Sequence, residues 1–460
     1  MKLNLFKLKS SGVVVSLCLL LLAACKKDNS QPELTWPEDG RISAIELISG
    51  DKQAGIFGET LKDSIVMKVS GREGKSRIYW LKYRFLEGNG NVKVAPSDPF
   101  EYVDISRPDN DGYVKLKWEL GCNKEEQELL VLLYSDSIYY NPDYAPNKPA
   151  DDSVIVSAKG SKPSGWGKSC GCEINDYYSS GIFSHNGKLY LVSPNARNGG
   201  LYMSEDGGIN WMPLQGFPFS DEIVSARFGE NNRLYVLTRN SGVYYSDNLS
   251  NWSSLNNGLL GFSYPSAFLI EPNFMYVSFE YNGLFRSADK GAFWKKILVE
   301  NGYATPYRFI SRHANNDLYL FDKWDTFYVS KDNGDSWKSI FIDYQYRRST
   351  IEDFKTGPDG KLYIGSGDAT LAIISPDTFD GITKSYYTPN SYSQHVNHIQ
   401  FFNDQVYFLV NGSNNDGIYS SATGWGKVDL TFKNRIFNYH VKEDGDFLLM
   451  TDRGVYYKVK

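Results

Sequence analysis

Between about residue 163 and Lys460 the chain repeats one arrangement of apolar and polar positions. A run of four mainly apolar residues begins at Leu189, Leu234, Met275, Leu318, Leu362, Val406 and Phe447, at intervals of 45, 41, 43, 44, 44 and 41 residues. A turn-forming pair stands just before each run: Asn186-Gly187, Asn231-Asn232, Pro272-Asn273, Asn315-Asn316, Asp359-Gly360, Asn403-Asp404 and Asp444-Gly445. These pairs read as the tight turns of hairpins. A second short strand follows each run, as Gly200-Leu201-Tyr202, Gly242-Val243-Tyr244, Gly283-Leu284-Phe285, Thr326-Phe327-Tyr328, Thr370-Leu371-Ala372, Gly417-Ile418-Tyr419 and Gly454-Val455-Tyr456. With one strand ahead of the turn and one beyond, each repeat amounts to four strands.

A tryptophan marks the fourth strand and decides how the series closes. It falls at Trp211, Trp252, Trp294 and Trp337, skips the fifth repeat and returns at Trp425. The seventh repeat stops at Lys460 with three strands. Upstream, Gly165-Trp166-Gly167-Lys168 restates Gly424-Trp425-Gly426-Lys427, and Trp166 stands 45 residues before Trp211. Residues near Trp166 are therefore expected to supply the missing outer strand, joining the ends of a ring and removing its open edges. Four strands per unit and a period of about 43 residues are those of a β-propeller blade. Residues 163–460 are expected to form a seven-bladed β-propeller closed by the strand near Trp166.

The turn between third and outer strands has its own signature. Ser204, Asp206, Gly208 and Trp211 form a Ser-x-Asp-x-Gly-x-x-Trp pattern that recurs at Ser287, Asp289, Gly291 and Trp294, and at Ser330, Asp332, Gly334 and Trp337. Serine and aspartate side chains bond turn backbone, glycine takes a positive φ, and tryptophan anchors the next strand. Partial versions follow: Ser246 to Trp252 is one residue short, Ser375-Pro376-Asp377 lacks the tryptophan, and Ser420 to Trp425 lacks the aspartate. The pattern is similar to the Asp box, or BNR repeat. This half of the chain resembles the propellers that carry it, among them sialidases, xyloglucanases, photosystem II assembly factors and the sortilin ectodomain. The resemblance implies that the box aspartates sit at the rim and are structural.

Ahead of the ring, residues 41–160 alternate apolar and polar positions, as in Ile65, Met67 and Val69 and in Val114, Leu116 and Trp118. That is the pattern of strands with one buried face. Strands are expected at Ser64–Val69, Ile78–Leu86, Tyr113–Leu120, Leu129–Tyr134 and Ser153–Ser157, giving an all-β sandwich. Gly50-Asp51-Lys52-Gln53-Ala54-Gly55, Gly58-Glu59-Thr60-Leu61, Asp109-Asn110-Asp111-Gly112 and Trp118-Glu119-Leu120-Gly121 resemble the bacterial Ig-like domains of invasin and intimin. The match breaks down at Tyr139 to Tyr144, a turn-rich stretch before the last strand. In that family such a domain is a spacer that lifts a binding domain off the membrane.

At the N-terminus, Lys2, Lys7 and Lys9 precede the apolar run Val13 to Leu22, too short for a membrane span, which leads into Leu22-Ala23-Ala24-Cys25. Residues 1–24 resemble a lipoprotein signal peptide with its lipobox, which implies lipidation of Cys25. Lys26 to Ser30 is similar to the tether of Bacteroidetes lipoproteins, so the expected location is the outer membrane, facing the periplasm or the cell surface. Residues 25–40 are expected to be tether. The remaining thiols, Cys122, Cys170 and Cys172, then lie where disulfides persist. One bridge is expected, from Cys122 to either Cys170 or Cys172; no histidine stands near Cys170-Gly171-Cys172, so no metal site is expected. The formal charge of -5 becomes more negative when the leader's lysines are lost, and there is no basic block. Nucleic acid is not an expected partner, the membrane is reached through the lipid only, and no phosphate-binding loop points to a cofactor.

The chain has 33 tyrosines and 15% aromatic residues, many of them where a ligand would sit. In a propeller, the loops leading into the innermost strands and those joining second to third strands share one face around the axis. Tyr178, Tyr264, Tyr307, Arg308, Tyr346, Arg347, His395, Arg435 and Tyr439 fall at the first kind of loop and Trp324 at the second. Stacking faces beside directional hydrogen-bond donors suit a glycan or a protein ligand. The expected function is a non-catalytic binding lipoprotein. The competing reading is a glycoside hydrolase of sialidase-like or xyloglucanase-like type, in which two of Asp221, Glu222, Glu280, Asp325 and Asp368 would meet roughly 5 to 10 Å apart. The sialidase resemblance calls for an Arg-Ile-Pro motif and six blades; the nearest phrase, Tyr307-Arg308-Phe309-Ile310, lies in the fourth repeat and lacks proline.

Overall fold

The alternation read near the N-terminus folds into two facing sheets. One takes strands Ser43–Ser49, Ile65–Gly71, Tyr113–Glu119 and Asn91–Val94 in that spatial order; the other takes Gln53–Ile56, Asp152–Ser161, Glu126–Asp136, Ile78–Glu87 and Ile105–Ser106. Ile65, Met67 and Val69 of the first sheet and Leu129, Val131 and Leu133 of the second are fully buried in one shared core with Trp118 and Leu81. Pairing is antiparallel except where Gln53–Ile56 runs parallel to Asp152–Ser161. The structure is a computed structural model that describes residues 43–71, 78–88, 90–94, 105–136, 149–172, 181–194, 200–214, 216–217, 221–259, 264–280, 282–297, 307–322, 326–340, 350–378, 381–385, 394–412 and 416–459. The expected leader, Cys25 and the tether lie outside these residues, as do Tyr139 to Tyr144. Among the described residues no helix is long and apolar enough to cross a membrane.

The repeats form seven four-stranded antiparallel sheets, here numbered I to VII. Their innermost strands are Gly181–His185, Ile223–Phe228, Pro265–Ile270, Tyr307–Arg312, Ile351–Thr356, His395–Phe402 and Asn438–Val441. The apolar runs become the second strands, and in sheets II to IV these are buried along their whole length. Neighbouring sheets cover both faces of such a strand, so its sequence is continuously apolar rather than alternating. One core cluster, for instance, joins Leu237 and Val243 of sheet II to Met275, Phe279 and Trp294 of sheet III. Each sheet touches the next, and the innermost strand of VII touches that of I, so the ring is closed.

Sheet VII takes its outer strand from Trp166–Lys168, which pairs with Gly454–Lys458 in the register Trp166 to Lys458 and Lys168 to Tyr456. The Trp166 indole donates to the Leu430 carbonyl at 2.8 Å and meets Phe432 edge-on. Two residues beyond the end of that strand, Cys170 forms a disulfide with Cys122 of the sandwich; Cys172 is outside any disulfide.

The hairpin turns are more varied than their sequences suggest. Both central residues have positive φ at Asn186-Gly187, Asn231-Asn232 and Asn403-Asp404, as a type I′ turn requires, whereas at Asn315-Asn316, Asp359-Gly360 and Asp444-Gly445 only the second does.

Candidate functional site

Backbone register fixes which residues of the innermost strands share a level around the axis. The second residue of each apolar run pairs, from sheet I to VII, with Phe183, Arg227, Leu269, Ser311, Lys355, Gln400 and His440. These form a lower tier. The fourth residue pairs with Gly181, Ser225, Ala267, Phe309, Asp353, Asn397 and Asn438, an upper tier nearer the start of each strand.

Above the upper tier, sheets II to V each carry a register shift that inserts one residue: Val224, Ser266, Arg308 and Glu352. A bulge of this kind re-aims the inserted side chain. In sheet VI the shift lies lower, between Asn397 and Gln400, and His398 takes a φ of 52° there. Sheets I, II, V, VI and VII enclose an axial channel of about 600 Å³ between these tiers.

At the channel mouth the bulge of sheet V meets the start of sheet VI, and Arg308 of the sheet IV bulge acts on it through its charge. Glu352 accepts a hydrogen bond from the Thr350 hydroxyl at 2.8 Å, and His395 Nδ1 lies 3.4 Å from the same carboxylate oxygen. That histidine holds the Glu352 carboxyl below its ordinary pKa against the opposing effect of burial, with Thr350 and the Arg308 charge adding to it. Glu352 in turn raises the His395 pKa. Gly367 backs the cluster: a Cβ there would stand 3.3 to 3.5 Å from Thr350 Oγ1, Glu352 Oε1 and His395 Nδ1. Arg308 makes no hydrogen bond to a described residue; its guanidinium lies 5.7 Å from the Phe309 ring.

Deeper in, Asp353 serves the backbone. One carboxylate oxygen accepts from Phe354 N at 2.8 Å and the other from Ile399 N at 2.6 Å, stitching sheet V to sheet VI. Burial pushes the imidazoles of His398 and His440 down to about 4, and His440 Nε2 is 2.6 Å from the Ser184 hydroxyl.

Of the residues singled out by sequence, His395 pairs with Glu352, Arg308 acts on that carboxylate through its charge, and Tyr264 stands 52% exposed just ahead of the innermost strand of sheet III. Arg435 is spoken for by Asp416 at 3.2 Å and lies over Phe437. Tyr307 requires correction: it is 3% exposed, because it already belongs to a strand whose alternation turns its ring between sheets; Tyr439 is 0% exposed in the same way but borders the axial channel. Tyr307 meets Tyr328 edge-on, and Tyr439 packs with Leu409 and Leu449, its hydroxyl unpartnered among the described residues. Tyr178, Trp324, Tyr346 and Arg347 lie outside the described residues. Glu352, Asp353, Arg227 and Lys355 were not anticipated.

The carboxylates considered for hydrolysis are largely committed. Glu222 is gripped by Arg239 Nε and Nη2 at 2.5 and 2.9 Å. Asp221 accepts from Asn240 N, and although burial works to raise it, hydrogen bonds from Ser241, Asn240 and Glu222 keep its pKa lowered. Asp368 accepts the Ser366 hydroxyl. Asp325 lies outside the described residues.

At the rim, the repeated turns are internally bonded. Ser204 Oγ donates to Asp206 at 2.8 Å and accepts from Gly208 N at 3.0 Å, while Asp206 also accepts from Ile209 N and Asn210 N. Ser287 and Asp289, and Ser330 and Asp332, repeat the scheme, with Gly208, Gly291 and Gly334 at φ of 93°, 90° and 90°. In the short version Asn248 takes the aspartate's place, accepting from Ser250 N and Asn251 N. Trp211, Trp294 and Trp337 are buried.

No protein-family model and no curated protein sequence matches the chain. Among solved structures, the extracellular domain of a putative one-component system from B. thetaiotaomicron aligns over 72% of this chain and 51% of its own, with a TM-score of 0.51 and 10% identity. YCF48 from Cyanidioschyzon merolae aligns over 64% of this chain and 98% of its own, at TM-score 0.46 and 15% identity. The WD40 β-propeller domain of Doa1 aligns over 64% and 97%, at 0.47 and 13%. The chain thus spans about half the length of the first of these. The likeness is one of fold: the ring is a β-propeller.

Proposed function

We propose that the chain is a lipid-anchored binding protein whose seven-bladed propeller takes a glycan or protein ligand on the channel-mouth face. The observation that carries this reading is the mouth cluster of Arg308, Glu352 and His395. Its carboxylate is held by Thr350 and His395, the Arg308 donors are uncommitted among the described residues, and Tyr264 offers an exposed ring at the neighbouring loop. A rigid charged group beside an aromatic face is what polar-ligand recognition needs. In this reading the rim turns are Asp boxes that fasten the blades, the sandwich is an Ig-like spacer, and Cys25 carries the lipid that holds the protein at the outer membrane.

The hydrolase alternative draws less support. A glycosidic general acid needs a raised pKa, whereas Glu352 and Asp221 are both lowered.

The test is a glycan array together with a peptide and protein pull-down, using the full chain and the variants Arg308→Ala and Tyr264→Ala. A ligand retained by the wild type and weakened about tenfold or more by Arg308→Ala supports the reading. A ligand held equally by both variants, or turnover of a glycoside, overturns it.

A further inference from the structure

We infer that the lower tier of the axial channel is a binding site for a small oxyanion, held between Arg227 and Lys355. The two residues occupy equivalent positions in sheets II and V, each paired with the second residue of its apolar run, Tyr235 and Tyr363. Three places apart in a ring of seven, they reach the channel from opposite sides, and both line it.

Among the described residues Arg227 has no carboxylate partner, and Lys355 has one long ion pair. Arg227 makes one hydrogen bond among them, from Nη1 to its neighbour's carbonyl, Ala226 O, at 2.7 Å. The side chain is exposed toward the channel, and the protein around it pulls its pKa down by desolvation. Lys355 Nζ has Asp353 at 3.9 Å, but both oxygens of that carboxylate already accept backbone N–H groups of Phe354 and Ile399. The rest of the tier offers no anion. His440 is held by Ser184, and Gln400 spends its amide on Tyr439 O and Val441 N at 2.6 and 3.1 Å. Glu352, nearer the mouth, is engaged by His395 and Thr350.

A planar guanidinium that can grip two oxygens and an ammonium line one cavity of about 600 Å³, a donor set that fits phosphate, sulfate or carboxylate. The volume exceeds that of a single anion, at about 30 Å³ per displaced water, so the oxyanion can be free or the acidic end of a larger sugar. This site is separate from the mouth cluster and does not rest on what binds there.

Titration calorimetry on the full chain at low ionic strength, with inorganic phosphate and with glucuronate, tests the assignment. Saturable binding of at least one probe is expected, weakened about tenfold or more in Arg227→Gln and in Lys355→Gln. Tighter phosphate points to a free anion, and tighter glucuronate to an acidic sugar end. Phosphate should raise the melting temperature of the wild type more than that of Arg227→Gln, as binding to the folded state requires. If Arg227→Gln does not fold, Lys355→Gln alone decides. No saturable binding of either probe, or wild-type affinity in a folded variant, overturns the inference.

Discussion

Lys168 Nζ donates to Glu119 Oε2 at 2.8 Å across the junction between the propeller's closing strand and the sandwich, with 18% and 10% of the two side chains exposed. The same short segment carries the ring's outer pairing with Gly454–Lys458, the Cys122–Cys170 disulfide, and a bond from the Ser169 hydroxyl to Gly208 O in the first rim turn. Seam, sandwich and sheet I thus converge on the stretch from Trp166 to Cys170. Glu119→Gln should cost about 3 kcal/mol in denaturant unfolding, because it strands a largely buried ammonium. A Glu119→Leu, Lys168→Met double replacement should recover most of that loss, and an unrecovered double variant would show that the pair matters beyond its charge.

Trp166 holds the seam from the other side, through its bond to Leu430 O and its edge contact with Phe432. Trp166→Ala is expected to cost about 3 kcal/mol, as large aromatic deletions do, and to increase hydrogen exchange at Gly454–Lys458 before other strands, since that strand becomes an edge. Exchange that rises equally in all seven sheets would count against a local seam.

How much of this was legible in the sequence depended on which force set each feature. Apolar runs buried on both faces, and turns bonded through Ser204 and Asp206, are local patterns, so the repeats and the closing strand near Trp166 could be read directly. Asn248 in the aspartate's role escapes a pattern that calls for an acid, although asparagine offers the same acceptor. The mouth cluster was only half legible. Arg308 and His395 stood out, but Glu352 reaches them through a one-residue register shift, and no residue type in Ile351 to Thr356 announces that bulge. Tyr307 shows the converse: a tyrosine already inside a strand is a core residue, and strand ends are known only to within a few positions from sequence.

The rim turns supply a graded test of the structural reading. Asp289→Ala and Asp332→Ala each remove a carboxylate that bonds a turn hydroxyl and turn N–H groups, so each should lower stability by about 1 kcal/mol with no effect on ligand binding. Asp332, which also accepts the Ser336 hydroxyl, is held down to about 2. Its contribution is therefore present above the ordinary carboxylate pKa and is lost as pH falls through about 2. Asn248→Asp, by contrast, should be tolerated in thermal unfolding, since it restores the usual acceptor.

The channel histidines set the acid limit. His398 and His440 are pushed down to about 4 by burial, with Lys355 and Lys442 adding repulsion and Asp353 opposing it at His398. Because the unfolded chain takes up these protons near 6.5 and the folded one only near 4, stability is complete above 6.5 and falls as pH drops through that window. A tenfold loss of proton affinity on folding is worth about 1.4 kcal/mol, and less than that here because both rings line the open channel. The Glu352–His395 pair works in the opposite sense: with the carboxyl lowered and the imidazole raised, it contributes most between the two ordinary pKa values and fades at higher pH. Urea unfolding from pH 7.5 to 4 should therefore show a net loss on the acid side, and His440→Gln should flatten it. An unchanged slope in His440→Gln and His398→Gln would place the acid sensitivity elsewhere.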